Sequence, residues 1–215
     1  MIYLGSAPAR AIYAGTDPVR AIYAGTMKIW PPAGGEDPAP DYDFFDDFER
    51  STIGPDWTGS GGVIHEGALR KNTVTGSTTY WTADQFAGDN LDVTATLGPV
   101  QDHQQKAAVL IGSPEEYVSV EFSQSAGQVV DYDGTRWTSL NNFGRRQWEA
   151  GDVIRVYRVG ELIRVERNGE LIATASSNLA MGEQHRRVGL AVYTDRVVIV
   201  NFYGPTFDDV GILAR

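Results

Sequence analysis

No cysteine occurs in this 215-residue chain, which excludes disulfide frameworks, thiolate metal sites and thiol redox chemistry. Histidine is nearly as scarce, and His65, His103 and His185 are too far apart for any zinc-protease or zinc-finger spacing. No run approaches the roughly 18 apolar residues that a membrane-spanning helix takes. Positive charge is short as well: 18 Lys and Arg face 28 Asp and Glu, for a formal net charge of −10. Apart from Arg145-Arg146 and Arg186-Arg187 the basic residues are scattered, so nothing here neutralises a run of phosphates, and nucleic-acid partners are excluded. The N-terminus has neither the basic start nor the continuous apolar centre of a signal peptide. The expectation is therefore a protein made in the cytoplasm that leaves the cell, if at all, within an assembled particle.

What the chain does have is 24 glycines, 10 prolines and many Thr, Val and Tyr residues, the composition of short strands joined by tight turns. The first thirty residues repeat. Ile2-Tyr3-Leu4-Gly5-Ser6, Ile12-Tyr13-Ala14-Gly15-Thr16 and Ile22-Tyr23-Ala24-Gly25-Thr26 recur at a period of ten. Each unit reads as a short strand followed by a turn that Gly and Pro punctuate, and Met27-Lys28-Ile29-Trp30 reads as a closing strand. An even period presents the same residue types to the same face in every unit. Strands this short do not stand alone in water. Ile2, Tyr3, Ile12, Tyr13, Ile22 and Tyr23 are thus expected to order against another chain, as an assembly segment. Residues 31–41 form a Pro/Gly/acid linker with no core-forming residue.

From residue 42 onward strand follows strand. Leu91, Val93, Ala95 and Leu97 alternate with polar residues, as do Val118, Val120 and Phe122. Val188 to Tyr193 and Val197 to Tyr203 are nearly continuous in apolar residues, as central strands would be. Val159-Gly160 reads as a two-residue turn that sets Val156 opposite Ile163 and Ile154 opposite Val165. Asn168-Gly169 reads as a second turn that sets Val165 opposite Ile172. All five apolar residues then share one face. The same register puts Arg155 opposite Arg164 on the outward face, where like charges oppose each other. Either Glu166 relieves them diagonally or an anionic partner sits between them. The predicted architecture is all-β, an antiparallel sandwich or jelly roll behind a small β-repeat segment.

Several stretches carry a resemblance. Phe45-Asp46-Asp47-Phe48-Glu49-Arg50 with Ile53-Gly54-Pro55-Asp56-Trp57 resembles the opening strand of concanavalin A-like (laminin G-like) sandwiches. The segments 151–156 and 163–172 resemble their central meander, and 188–192 with 200–209 the last two strands. The N-terminal Ile-Tyr-x-Gly-Ser/Thr repeats resemble the openings of minor tail proteins of actinobacterial phages, which often carry a lectin-like domain. That resemblance implies a structural virion protein at the tail or tail tip. Its repeats would anchor it to other tail proteins, and its sandwich would be displayed toward a host-envelope glycan. It also implies a homo-oligomer, a trimer by analogy with symmetric fibres. A bacterial cell-surface carbohydrate-binding module and a capsid fibre remain open alternatives.

Hydrolases of this fold place carboxylates close together on one strand, and the corresponding Glu-x-Asp-x-x-Glu or Glu-x-Asp-x-Glu pattern is missing. Glu115 and Glu116 point to opposite faces if extended, and Asp131 and Asp133, though equal in parity, lead into an Asp133-Gly134 step that reads more simply as a hairpin turn. No enzyme activity is expected, and no catalytic residue is assigned. No metal site is assigned either. Calcium is the one ion the pattern accommodates, through loop oxygens at Asp89, Asn90, Asp102, Asp131 or Asp133, though acidic loops in so acidic a chain are better explained by solvation. Sugars call for aromatic platforms beside amides and acids. Tyr132, Asp133, Arg136, Trp137, Asn141 and Asn142 offer that mixture, and Trp81 beside Tyr80, Asp84 and Gln85 a second one. For Trp81 and Trp137 packing at a sheet edge is the competing reading. Trp57 and Trp148 are expected in the core.

Overall fold

A computed structural model describes residues 42–71, 76–98, 106–123, 126–143, 148–197, 200–203 and 206–214, together with six short N-terminal strands. The chain divides into two compact units, Met1–Asp41 and Tyr42–Arg215, the boundary falling where the Pro-rich run ends.

In the first unit each ten-residue repeat pairs with itself. β1 (Tyr3–Leu4) pairs with β2 (Ala7–Pro8), β3 (Tyr13–Ala14) with β4 (Asp17–Pro18), and β5 (Ile22–Ala24) with β6 (Met27–Trp30), all antiparallel. The period of ten is therefore a hairpin period: each Gly-Ser/Thr step lies between two strands of one unit. Tyr3, Tyr13, Ile22 and Tyr23 sit in these strands, while Ile2 and Ile12 lie outside the described residues.

The second unit runs β7 (Phe44–Asp46), β8 (Trp57–Gly59), β9 (Gly62–His65), β10 (Ala68–Lys71), β11 (Gly76–Thr82), β12 (Leu91–Leu97), β13 (Lys106–Gly112), β14 (Tyr117–Ser123), β15 (Ala126–Tyr132), β16 (Trp137–Asn142), β17 (Val153–Val159), β18 (Leu162–Arg167), β19 (Glu170–Ser176), β20 (Arg187–Val197), β21 (Val200–Tyr203) and β22 (Phe207–Ala214). These strands form two antiparallel sheets. Sheet I has the order β19-β18-β17-β12-β22-β10-β9, with β7 also on β22; sheet II has the order β16-β15-β14-β13-β20-β11-β8, with β21 on β20. Alternation decides which side chains enter the space between the sheets. Leu91, Val93, Ala95 and Leu97 enter from sheet I, and Val109, Ile111, Val118, Val120 and Phe122 from sheet II, all buried in one core with Trp57 and Trp148.

The meander register differs from the expected one. The β17–β18 turn falls on Gly160 and Glu161, so that Val159 faces Leu162 and Val156 faces Val165. Gly160, with φ of 57°, takes the first central position, where two-residue hairpins favour glycine. Arg155 consequently faces Glu166, not Arg164, and its guanidinium forks onto Asp92 at 2.6 and 2.8 Å. Arg164 instead faces Tyr157. The like-charge opposition, and the anionic partner it suggested, are thereby removed. Asn168-Gly169 turns as expected, with both residues at positive φ. A bulge at Val165/Glu166 then leaves Ile172 as the extra residue, and Val165 faces Ala173.

Arg158 is only 2% exposed. Its guanidinium donates to the main-chain oxygens of Gly160, Ser177, Leu179 and Ala180, fixing the loop after β19. Asp46, at the end of β7, accepts hydrogen bonds from Phe48 N, both terminal nitrogens of Arg50 and Trp57 Nε1. This buried carboxylate pins the opening strand to the core tryptophan.

Candidate functional site

The outward face of sheet II departs from an ordinary solvated surface. Trp81, Ala108, Leu110 and Ala191 point away from the core yet are buried together, with Tyr117 and Tyr193 packed against them. The cause is local. Gly189 stands beside Trp81 in the β11–β20 register, and a Cβ there would lie 3.1 Å from the indole Cδ2. The missing side chain lets the indole lie across the sheet toward β14.

That indole begins a continuous aromatic strip. Trp81 and Tyr117 have ring centres 5.6 Å apart, Tyr117 and Tyr132 5.0 Å, Tyr117 and Trp137 5.5 Å, and Tyr132 and Trp137 4.7 Å. The register explains the row: Tyr117 pairs with Tyr132 across β14–β15, and Tyr132 with Trp137 across β15–β16. Trp137, at the sheet edge, is 48% exposed. An exposed indole backed by tyrosines is a rigid apolar platform at the surface.

Four residues along β14, about 13 Å at 3.3 Å per residue, the same face turns polar. Glu121 Oε2 accepts hydrogen bonds from Lys106 Nζ at 2.7 Å and from Gln128 Nε2 at 2.6 Å. Beside them lies a depression of about 180 Å³ lined also by Ser123, Ala126, Gly127 and Asn142. Ser119, between strip and cluster, is 1% exposed. Its hydroxyl has no partner among the described residues. Burial first, then the nearby Tyr193, Tyr132 and Glu121, pushes the Tyr117 phenol up to about 12; burial, then Glu121, does the same to Tyr193. Both phenols therefore remain protonated donors at any physiological pH.

The sequence candidates distribute unevenly over this surface. Tyr132 and Trp137 come together on the strip. Trp81 joins it but is 6% exposed, so it supports the strip and has no open ring face for a sugar. Asp133 Oδ1 accepts from Arg136 N, Thr135 N and Thr135 Oγ1, which holds its carboxyl below the usual range and fastens the β15–β16 turn. Arg136 is exposed in that turn. Asn141 donates to Thr174 O on β19, joining the edges of the two sheets. Tyr117, Glu121, Lys106 and Gln128 were not singled out from sequence. The alternation Tyr117, Ser119, Glu121 marks one face of β14, but only strand pairing brings Lys106 and Gln128 to it.

Among the described residues no group of three or more His, Asp or Glu side chains could hold a metal ion. The calcium candidates are engaged otherwise: Asp89 binds Arg186, Asn90 Oδ1 accepts Gly160 N, and Asp131 is buried, where desolvation raises its carboxyl. Asp102 lies outside the described residues.

No family model and no curated protein sequence matches the chain. Solved structures do. The carbohydrate-binding module CBM66 from Bacillus subtilis aligns with a TM-score of 0.59 at 9% identity, covering 77% of this chain and 98% of that one. A Bacillus licheniformis β-glucanase aligns at 0.55 and 9%, covering 80% and 98%. The exoplasmic/lumenal domain of VIP36, in its Ca2+/Man3GlcNAc-bound form, aligns at 0.54 and 8%, covering 76% and 85%. At these identities the likeness is one of fold, and the fold of residues 42–215 is the concanavalin A-like antiparallel β-sandwich.

Proposed function

We propose that the sandwich binds a glycan on the outward face of sheet II without transforming it. The observation that carries this reading is the exposed Trp137 at the end of an aromatic strip, on the same face as the Glu121–Lys106–Gln128 cluster. Sugars present an apolar C–H face to stack and hydroxyls to bond, and this face supplies both kinds of contact. Several proteins of like fold are described as carbohydrate-binding, among them the CBM66 module and the Man3GlcNAc-bound VIP36 domain. Others of like fold are glucanases and a transglycosylase. Against catalysis here stands the carboxylate count. On β13 to β16 Glu121 is the sole outward carboxylate, its neighbours on that face of β14 are Ser119 and Ser123, and glycosidases of the common kind need a pair of acids.

The N-terminal hairpins complete the proposal as an attachment segment. Two-stranded units of two to four residues per strand need a partner to be stable. The resemblance of the repeats to phage minor tail proteins makes that partner a virion tail, with the sandwich displayed toward host-envelope glycan.

The test is calorimetric titration of the full chain and its Trp137→Ala variant against neutral oligosaccharides. Glycan binding that disappears in the variant is expected. Release of reducing ends from a polysaccharide would overturn the non-catalytic reading. Light scattering on residues 42–215 beside the full chain tests attachment: an unchanged oligomeric state would remove the role given to the hairpins.

A further inference from the structure

The face has two chemically different ends, and the polar end restricts which glycan it takes. The Glu121 side chain is 8% exposed although it points outward. One carboxylate oxygen, Oε2, is shared by Lys106 and Gln128, and no described residue donates to Oε1. The Lys106 side chain is 45% exposed, and its contact with Glu121 uses one ammonium proton of three. The cluster therefore offers an anionic acceptor to which no described residue donates, beside an ammonium that gives the described residues one proton of three, at the margin of a depression of about 180 Å³. That is less than the ~300 Å³ or more of a drug-sized pocket, so it admits a single ring and leaves the rest of any ligand on the open face.

Charge then selects. The two groups neutralise each other, so no net field draws a charged ligand. A uronate or sulfated sugar would gain Lys106 but meet Glu121, and a protonated amino sugar would gain Glu121 but meet Lys106; with the two groups 2.7 Å apart attraction and repulsion offset, and desolvation of the ligand's charge is left uncompensated. An uncharged sugar with adjacent hydroxyls meets neither obstacle. One O–H donates to Oε1 while a neighbouring oxygen accepts from Nζ, and both bonds are strengthened by the charged partner. The distance from this cluster to the Tyr117 row, about 13 Å along β14, is more than one sugar ring spans.

We infer that the face selects an uncharged oligosaccharide, read at one end by Glu121, Lys106 and Gln128 through adjacent hydroxyls and stacked at the other on Trp137. This rests on the glycan-binding reading and adds charge and length to it.

The experiment titrates the full-length protein with gluco-, manno- and galacto-oligosaccharide ladders from mono- to hexasaccharide, with oligogalacturonides, and with chitosan oligomers at acidic pH. At least one neutral ladder should tighten about tenfold or more between mono- and tetrasaccharide, and charged ladders of equal length should bind about tenfold more weakly or worse. Glu121→Gln, checked for folding by circular dichroism, should weaken the neutral ligand about tenfold and narrow the gap to oligogalacturonides. A uronate or amino-sugar ladder binding as tightly as the neutral one overturns the inference on the wild-type protein alone. So does a Glu121→Gln variant of unchanged affinity and selectivity while Trp137→Ala loses binding, an outcome that leaves glycan binding standing. Failure of every ladder to bind overturns the glycan reading itself.

Discussion

The rings of Tyr132 and Trp137 lie 4.7 Å apart, centre to centre, across the register pair that closes the β15–β16 hairpin. A local turn thus builds the exposed end of the strip, with Asp133 fastening it from within the turn. Because Trp137 is about half exposed, it contributes little to folding and most of the open stacking surface.

Trp137→Ala should therefore separate binding from stability. Affinity for a neutral oligosaccharide should fall about tenfold or more. The unfolding free energy should change by no more than about 0.5–1 kcal/mol. Titration calorimetry and chemical denaturation on the same preparation check both.

Trp81→Ala should do the reverse in order of magnitude. The indole fills the outward cluster over Gly189, and its removal leaves a cavity against Leu110 and Tyr117. A loss of about 3 kcal/mol in urea unfolding is expected. Weaker glycan binding should accompany it, since Tyr117 loses its support.

Arg158→Met keeps much of the buried volume but strips four main-chain oxygens of their donor. Unsatisfied buried carbonyls should cost about 2–4 kcal/mol. Hydrogen exchange should quicken first at residues 177–180. Arg158→Lys should rescue little, because one ammonium cannot reach all four acceptors.

Asp46 contributes to the acid sensitivity of the fold. Burial pushes its carboxyl up, but the Arg50 guanidinium, the Phe48 amide and the Trp57 indole outweigh that and hold it below the usual carboxylate range. A group depressed in the folded state stabilises above its unfolded pKa and loses that contribution as pH falls through the folded value. Asp46→Asn should cost about 2 kcal/mol at neutral pH, reduced from the fully buried case because Arg50 is a third exposed. The gap to wild type should close as denaturation is repeated toward and below pH ~4.

Much of this architecture was legible in the residues. Alternation in Leu91 to Leu97 and in Val118 to Phe122 determined which side chains enter the core, because a strand has only two faces. Asn168-Gly169 determined its turn, since both residues tolerate positive φ. Tyr132 and Trp137 fall on either side of the turn read at Asp133-Gly134, but their pairing came from the β15–β16 register. Gly160 against Val159 could not be settled by pattern alone: shifting the turn by one position moves the facing residue by two, which keeps every apolar residue on its face while exchanging Arg164 for Glu166 opposite Arg155.

Tertiary structure decided what periodicity does not encode, namely which strand lies beside which. Asp92 reaches Arg155 only because β12 sits against β17, and Trp81 reaches Tyr117 only because β20 and β13 stand between β11 and β14 with Gly189 leaving room. The alternation along β14 puts Glu121 on the outward face, but its lysine comes from the strand before it and its glutamine from the strand after. The sequence by itself determined the faces. The neighbours on each face, and with them the candidate site, came from strand order, which is selected by packing of the whole core rather than by any local run of residues.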